Sequence, residues 1–174
     1  MVRRLPLLLA TITLLACGIA RFTIGREIPE QRVEGSPLGG LLGPVSVPIP
    51  LAVDLAAETG ARSTGPAQHV YLVALSLSVT SSSEPVGDTD DLAFVDAIEI
   101  FVESTAPSST LPRQRVARLD PAPDGQRTLS LDCEPVDLID YLREGARLTS
   151  SARGTVPPDD VSFVGQLELA VEVL

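Results

Sequence analysis

Apolar and polar residues alternate with a period of two along most of the chain after residue 50. Such alternation places one face of each strand in a core and the other face in water. The inward positions of the clearest runs are Leu51, Val53 and Leu55; Val73, Leu75, Leu77 and Val79; Ile98, Ile100 and Val102; Leu129, Leu131 and Cys133; and Leu167, Leu169, Val171 and Val173. Residues 115–119 and 146–152 are further strand candidates, and the apolar positions between 22 and 33 indicate a first strand.

Clusters of Gly, Pro, Ser and Asp separate these runs. Several short strands joined by turns of this kind predict an all-β fold, an antiparallel β-sandwich of about seven to nine strands. One short helix is predicted over residues 138–144, where Asp137 is placed to cap its start and Gly145 to end it. The turn clusters occupy residues 60–65, 81–91, 104–109, 121–125 and 154–160.

The first 17 residues have a different pattern from the rest. Arg3 and Arg4 precede an uncharged, largely apolar run over residues 5–15. A run of that length is too short to span a bilayer, which needs about 20 apolar residues, but it suits the apolar region of a signal peptide. The segment therefore predicts export.

The residues Leu14, Leu15, Ala16 and Cys17 resemble the lipobox of bacterial lipoproteins. The resemblance implies cleavage between Ala16 and Cys17, a diacylglyceryl group on the Cys17 sulfur and acylation of the new amino terminus. Because Gly18, not Asp, follows the cysteine, the resemblance also implies delivery to the outer membrane, facing the periplasm or the cell surface. The alternative is an ordinary secretory signal with a chance cysteine, yet one of only two cysteines in the chain lies at the position that the motif requires.

Three regions follow from these patterns. Residues 1–16 are a lipoprotein signal peptide, residues 17–45 a lipidated amino terminus with a linker or first strand, and residues 46–174 a β-sandwich domain. The Gly- and Pro-rich stretch over residues 35–44 is either a tether or a loop whose leucines pack against the domain. With no Lys and no Asn, the chain resembles small β-sandwich envelope lipoproteins of uncharacterised function from GC-rich Gram-negative bacteria.

The formal net charge of -10 bears on the partners. A charge of that sign repels phosphate backbones, so nucleic acid is not expected as a partner. It also argues against attachment to anionic lipid through a broad basic face. Membrane association is therefore expected to come from the acyl groups on Cys17.

Residues that could carry catalysis or hold a metal are few. His69 is the single histidine, no Gly-x-Ser-x-Gly motif accompanies it, and a structural role is expected. One histidine and Cys133 do not make a zinc site, and Cys133 is expected to be a buried, inert thiol. No catalytic residue, metal or cofactor is predicted.

The acidic loop with Asp88, Asp90 and Asp91 is the candidate for ligand chemistry. It offers hard carboxylate oxygens of the kind that Ca²⁺ prefers, although the ligand pattern of a known calcium loop is missing. The alternative is a solvated turn, as acidic surface loops usually are. Asp159 and Asp160 are interpreted as a turn before the last strand.

These observations favour a non-enzymatic, lipid-anchored envelope protein, a structural or interaction module. The membrane is its expected partner, and another envelope protein is a further candidate. Two alternatives belong to other classes: a carrier of an apolar ligand between the sheets, and a carboxylate-based envelope hydrolase. A large apolar cavity would favour the carrier. Converging carboxylates with raised pKa values would favour the hydrolase.

Overall fold

A computed structural model describes residues 20–36, 38, 40, 48–51, 53–80 and 90–173, with the backbone alone for 48–51. This part of the chain forms nine strands and two short helices. In chain order they are β1 (Ala20–Val33), β2 (Pro48–Leu51), α1 (Leu55–Ala61), β3 (Ala67–Val79), β4 (Val95–Ser104), β5 (Gln114–Leu119), β6 (Thr128–Ser130), β7 (Asp132–Cys133), α2 (Ile139–Glu144), β8 (Ala146–Gly154) and β9 (Val161–Val173). None of the described helices is long and apolar enough to cross a membrane.

The strands form two antiparallel sheets, which confirms the predicted all-β sandwich. One sheet has the order β1-β9-β3-β6 and the other the order β2-β8-β4-β5-β7. Alternate residues of the long strands meet between the sheets, as the period of two predicts. The prediction that Val73 points inward was wrong: the register of β3 and β9 shifts between Leu72 and Ala74, so Leu72 is buried and Val73 is 38% exposed. The most completely buried of these side chains include Val70, Val102, Leu148, Leu169 and Val171, each with 0% of its surface exposed. Burial of each such side chain stabilises the fold by about 1.5–3 kcal/mol.

The run through Leu129, Leu131 and Cys133 does not form one strand as predicted. β6 pairs with β3 in one sheet and β7 pairs with β5 in the other, so the chain changes sheets at Leu131. The Leu131 amide still donates to the carbonyl of Leu75 at 2.9 Å before the chain crosses. A period of two reports which face is buried; it does not report which sheet buries it.

The prediction of a strand through Val53 and Leu55 was wrong. β2 ends at Leu51, and α1 begins at Leu55 after the N-cap residue Asp54, whose carboxylate accepts from the amide of Ala57 at 2.9 Å. Three alternating apolar positions are too few to exclude a short helix, and a capping Asp ahead of a run of good helix formers favours one.

Helix α1 is held against strand β1 by its polar side chains. Glu58 of α1 accepts from Arg26 of β1 at 2.9 Å and from Arg62 at 2.6 Å. The Arg62 guanidinium also lies over the ring of Phe22, 4.4 Å from its centre. These contacts cover the side of the sandwich where β1 is the outermost strand.

The four strands at the sheet edges carry features that discourage pairing with another chain. β1 contains Pro29, which has no amide hydrogen, a break in register between Ile28 and Gln31, and a carbonyl at Gly25 that accepts from the Arg26 guanidinium at 3.0 Å. β2 contains two prolines in four residues. β6 and β7 are only three and two residues long. Prolines, bulges and short edges of this kind oppose edge-to-edge association.

The sandwich has two ends that matter for function. The amino end holds the start of β1 at Ala20, the start of β3 at Ala67 and helix α2, whereas the distal end holds Val33, Val79 and Val95. β1 has 14 residues and runs the whole length between them. At about 3.3 Å per residue the ends lie about 45 Å apart.

Candidate functional site

The structure separates the three aspartates of the predicted acidic loop. Asp88 lies outside the described residues, together with the rest of 81–89. Asp90 is buried, with 7% of its surface exposed, and its carbonyl accepts from the Arg127 guanidinium at 2.6 Å. The Asp91 carboxylate accepts from the amide of Ala93 at 2.9 Å and so closes a local turn. The interpretation of the loop as a solvated turn is therefore wrong for Asp90, which the distal end encloses.

The distal end brings together two acidic turns that lie far apart along the chain. Asp90, Asp91 and Asp159 line an open cavity of about 460 Å³ with Phe94 and Thr155. The neighbouring Asp160 is turned toward β1, where its carboxylate accepts from the Gly35 amide at 2.7 Å and pairs with Arg32. These contacts lower the pKa of Asp160, because both stabilise its ionised form.

The described carboxylates at the distal end do not form a group of metal ligands. Within the described residues, no three His, Cys, Asp or Glu side chains are placed to hold one metal ion. Ca²⁺ takes about six to eight oxygen ligands, and the Asp91 carboxylate is already engaged with a backbone amide. The Asp91 carboxylate instead closes the local turn through the Ala93 amide.

Calcium is accordingly expected to leave the melting temperature of the protein unchanged. A ligand stabilises only the state that it binds, so a functioning site would raise the melting temperature. Thermal unfolding with and without millimolar CaCl₂ measures this. Asp90→Ser is expected to cost more than the about 0.5 kcal/mol typical of surface changes, because Asp90 is buried. A rise in melting temperature with calcium that Asp90→Ser and Asp91→Ser abolish would contradict this interpretation.

At the amino end, His69 and Asp137 form a pair that the sequence did not reveal. The Asp137 carboxylate lies 2.6 Å from the His69 Nδ1 atom and accepts from the amides of Val70 and Ile139, each at 3.1 Å. The amide of Leu138 donates to the carbonyl of Val70 at 2.7 Å beside them. The pair therefore joins strand β3 to the start of helix α2, and we call it the amino-end clasp.

The predicted cap of α2 is confirmed in part by this geometry. Asp137 binds the amide of Ile139, the first residue of the helix, but the N-cap position itself is Leu138, which makes no side-chain capping bond. The second oxygen of Asp137 is turned to His69 instead. Asp137 thus binds both the first turn of α2 and strand β3, which belongs to the sheet β1-β9-β3-β6.

The clasp shifts the pKa of both members. The hydrogen bond to Asp137 raises the pKa of His69, and Glu172 adds to the shift. Burial opposes ionisation of Asp137, but the hydrogen bonds from His69, Val70 and Ile139 outweigh it, so the pKa of Asp137 is lowered. Both shifts favour the ionised form of the pair, an imidazolium beside a carboxylate.

Because of the clasp, the protein is expected to become less stable as the pH rises. The folded pKa of His69 lies above its ordinary value of 6.5, so its contribution to stability is complete below pH 6.5 and is lost as the pH rises through the folded pKa. Melting temperatures from pH 5 to pH 9 measure this for the parent and for His69→Gln, which keeps a neutral donor and does not titrate. The parent is expected to be the more stable at pH 5, with the difference fading toward pH 9. Parallel profiles would show that the ion pair contributes nothing.

The clasp pairs a base, His69, with an orienting acid, Asp137, as a catalytic triad does. Within the described residues, no serine, threonine or cysteine makes a hydrogen bond to the second ring nitrogen of His69. A triad needs such a nucleophile on the base and an oxyanion hole beside it. The nearby ring of Tyr71 stacks on His69 with a centroid distance of 6.1 Å.

One of the two cysteines lies in the described part of the chain and the other lies outside it. Cys17 and Ala16, the residues of the predicted lipidation and cleavage site, lie outside it. Cys133 is a free thiol in the edge strand β7 and is half-buried, so the expectation of full burial was wrong. Partial burial and the neighbouring Asp132 raise its pKa, which keeps the thiol protonated and unreactive.

Two features bear on the carrier and the hydrolase. The apolar cavity between the sheets, lined by Leu77, Leu129 and Phe163 among others, measures about 50 Å³. Small-molecule sites usually measure about 300–1,000 Å³. The pKa values of five carboxyl groups, those of Glu58, Glu103, Asp137, Glu144 and Asp160, are lowered. Lowered pKa values are typical of carboxylates in ion pairs and not of catalytic acids.

Comparison with known proteins adds no assignment: no protein-family model and no curated protein matches this chain.

Proposed function

We propose that the protein is a lipid-anchored component of a bacterial cell envelope and that its β-sandwich serves as a structural or interaction module. The observation that carries this proposal is the short distance along the chain between Cys17 and the first described strand. Strand β1 starts at Ala20, three residues after Cys17, and pairs with β9 from its first residue. Cleavage before Cys17 would therefore remove the signal segment and leave both sheets intact.

The short distance between the proposed anchor, Cys17, and the start of β1 also supports the proposal. Three residues span at most about 11 Å of extended chain. Acyl groups on Cys17 would then fix the amino end of the sandwich directly at a membrane, without a long tether. An anchor of two or three acyl chains suffices for stable attachment, whereas a single chain does not.

The described side chains favour a structural or interaction module over an enzyme. Most arginines and their acidic partners neutralise one another on the outer faces of the sheets. Glu103, for example, accepts from Arg113 at 2.8 Å and from Arg147 at 3.0 Å, and Arg115 bridges Glu99 and Glu134 at 2.7 Å each. Such pairs stabilise a surface and leave few groups poised for acid–base chemistry.

Differential washing of membranes from the native organism tests this proposal. An acyl anchor is held by the hydrophobic effect, so high salt and alkaline carbonate are expected to leave the protein on the membrane and detergent to release it. Electrostatic attachment would respond to salt instead. Release of the protein by salt, or its recovery in the soluble fraction, would refute the anchor.

A further inference from the structure

Arg21 is an exposed cation at the amino end of the sandwich. It makes no ion pair or hydrogen bond within the described part of the chain, although Glu172 lies opposite it in the register of β1 and β9. Most other arginines have an acidic partner: Arg26 and Arg62 share Glu58, for example. A guanidinium left unpaired beside a predicted anchor is available to another anion.

The reach of the chain brings Arg21 to the membrane surface. Arg21 lies four positions after Cys17, so the two α-carbons lie at most about 14 Å apart. The headgroup layer on each side of the hydrocarbon core is about 5–8 Å thick. Because the acylated sulfur lies at the inner border of that layer, the guanidinium of Arg21 is within reach of the lipid phosphates, and its planar fork of donors matches them.

The distal end is the more acidic of the two ends, as contact between the amino end and an anionic membrane requires. The distal end carries a surplus of acids, which an anionic membrane repels. They are Glu34, Asp90, Asp91, Asp124, Asp159 and Asp160. Of the arginines near them, Arg32 is paired with Asp160 and Arg153 with Asp120. The membrane repels the acids of the distal end and attracts Arg21 at the amino end. Both effects favour an orientation in which the amino end faces the membrane.

We propose that Arg21 binds the phosphates of anionic phospholipids beside the anchor and thereby holds the sandwich upright, with its acidic distal end directed away from the membrane. The inference rests on the proposed acylation of Cys17. It assigns the membrane-facing end of the module and leaves the distal end, about 45 Å away, as the surface offered to other envelope components.

Depth-dependent quenching tests this orientation on the acylated full-length protein. In a Cys133→Ser background, a fluorophore is attached to Gln68→Cys at the amino end or to Asp124→Cys at the distal end, since both positions are exposed. The protein is placed in vesicles of phosphatidylethanolamine and phosphatidylglycerol that carry a headgroup quencher. Quenching is expected to be several-fold stronger at position 68 than at position 124.

Arg21→Gln is the decisive variant, and Arg118→Gln is its matched control, because Arg118 is also exposed and unpaired but lies on the other sheet. One basic residue near an anionic surface changes an equilibrium about fivefold. Arg21→Gln is expected to reduce the difference between the two positions by about that factor, and Arg118→Gln to leave it unchanged. Equal quenching at both positions, or equal behaviour of the two variants, would overturn the orientation. Failure to float with the vesicles would instead refute the anchor itself.

Discussion

Replacement of Cys17 by Ser is expected to transfer the protein from the membrane fraction to the aqueous phase or to leave it unprocessed. A hydroxyl at this position offers no thiol for the thioether, so the acyl groups that would hold the protein are never attached. Loss of two or three acyl chains removes about 0.8 kcal/mol per buried methylene, far more than any surface contact supplies. Detergent phase partitioning and labelling with a radioactive fatty acid measure the change.

Cys133→Ser is the matched control, because Cys133 is the other cysteine of the chain and lies half-buried in strand β7. It is expected to label and partition like the parent. If Cys17→Ser still incorporates label and enters the detergent phase, the lipobox interpretation is wrong.

Introduction of a charge at Ile100 is expected to unfold the sandwich. Ile100 is 2% exposed in the central strand β4 and pairs with both β5 and β8. An ionised carboxylate there has no partner, and burial of an unpaired charge costs several kcal/mol. That loss is comparable with the whole stability of a domain, about 5–15 kcal/mol. Ile100→Asp, and equally Leu77→Asp, should lose the strand signal in far-UV circular dichroism.

Val73→Asp separates burial from the chemistry of the substitution. Val73 lies in strand β3 but is 38% exposed, so an aspartate there remains in water. Its variant is expected to fold and to melt within a few degrees of the parent, when both are made without the first 16 residues. Equal unfolding of the Val73 and Ile100 variants would contradict the assignment of faces.

The long strands could be predicted from the sequence because their inner faces are filled by Leu, Val and Ile at every second position. In β9, for instance, Leu167, Leu169, Val171 and Val173 are all buried. The elements that sequence reasoning missed are short. Helix α1 depends on the cap at Asp54, and the passage from β6 to β7 depends on which sheet each pair of residues joins. Local patterns do not contain that pairing.

The candidate site was less accessible to sequence reasoning for a related reason. His69 and Asp137 were each recognised as structural residues, yet they are 68 positions apart and meet only because β3 and α2 lie together at the amino end. Aspartate is typical of exposed loops, but Asp90 is buried at the distal end. Contacts between distant segments depend on the topology, which alternation alone does not specify.

The mass of the amino-terminal peptide tests the central claim most directly. Trypsin cleaves after Arg21, so a protein processed before Cys17 yields the five-residue peptide of residues 17–21. The proposed anchor predicts this peptide with a diacylglyceryl group on the sulfur and an acyl group on the amino terminus, as a series of masses spaced by two methylene units. An unmodified peptide beginning at Cys17, or a peptide that begins elsewhere, would contradict lipid anchoring through Cys17.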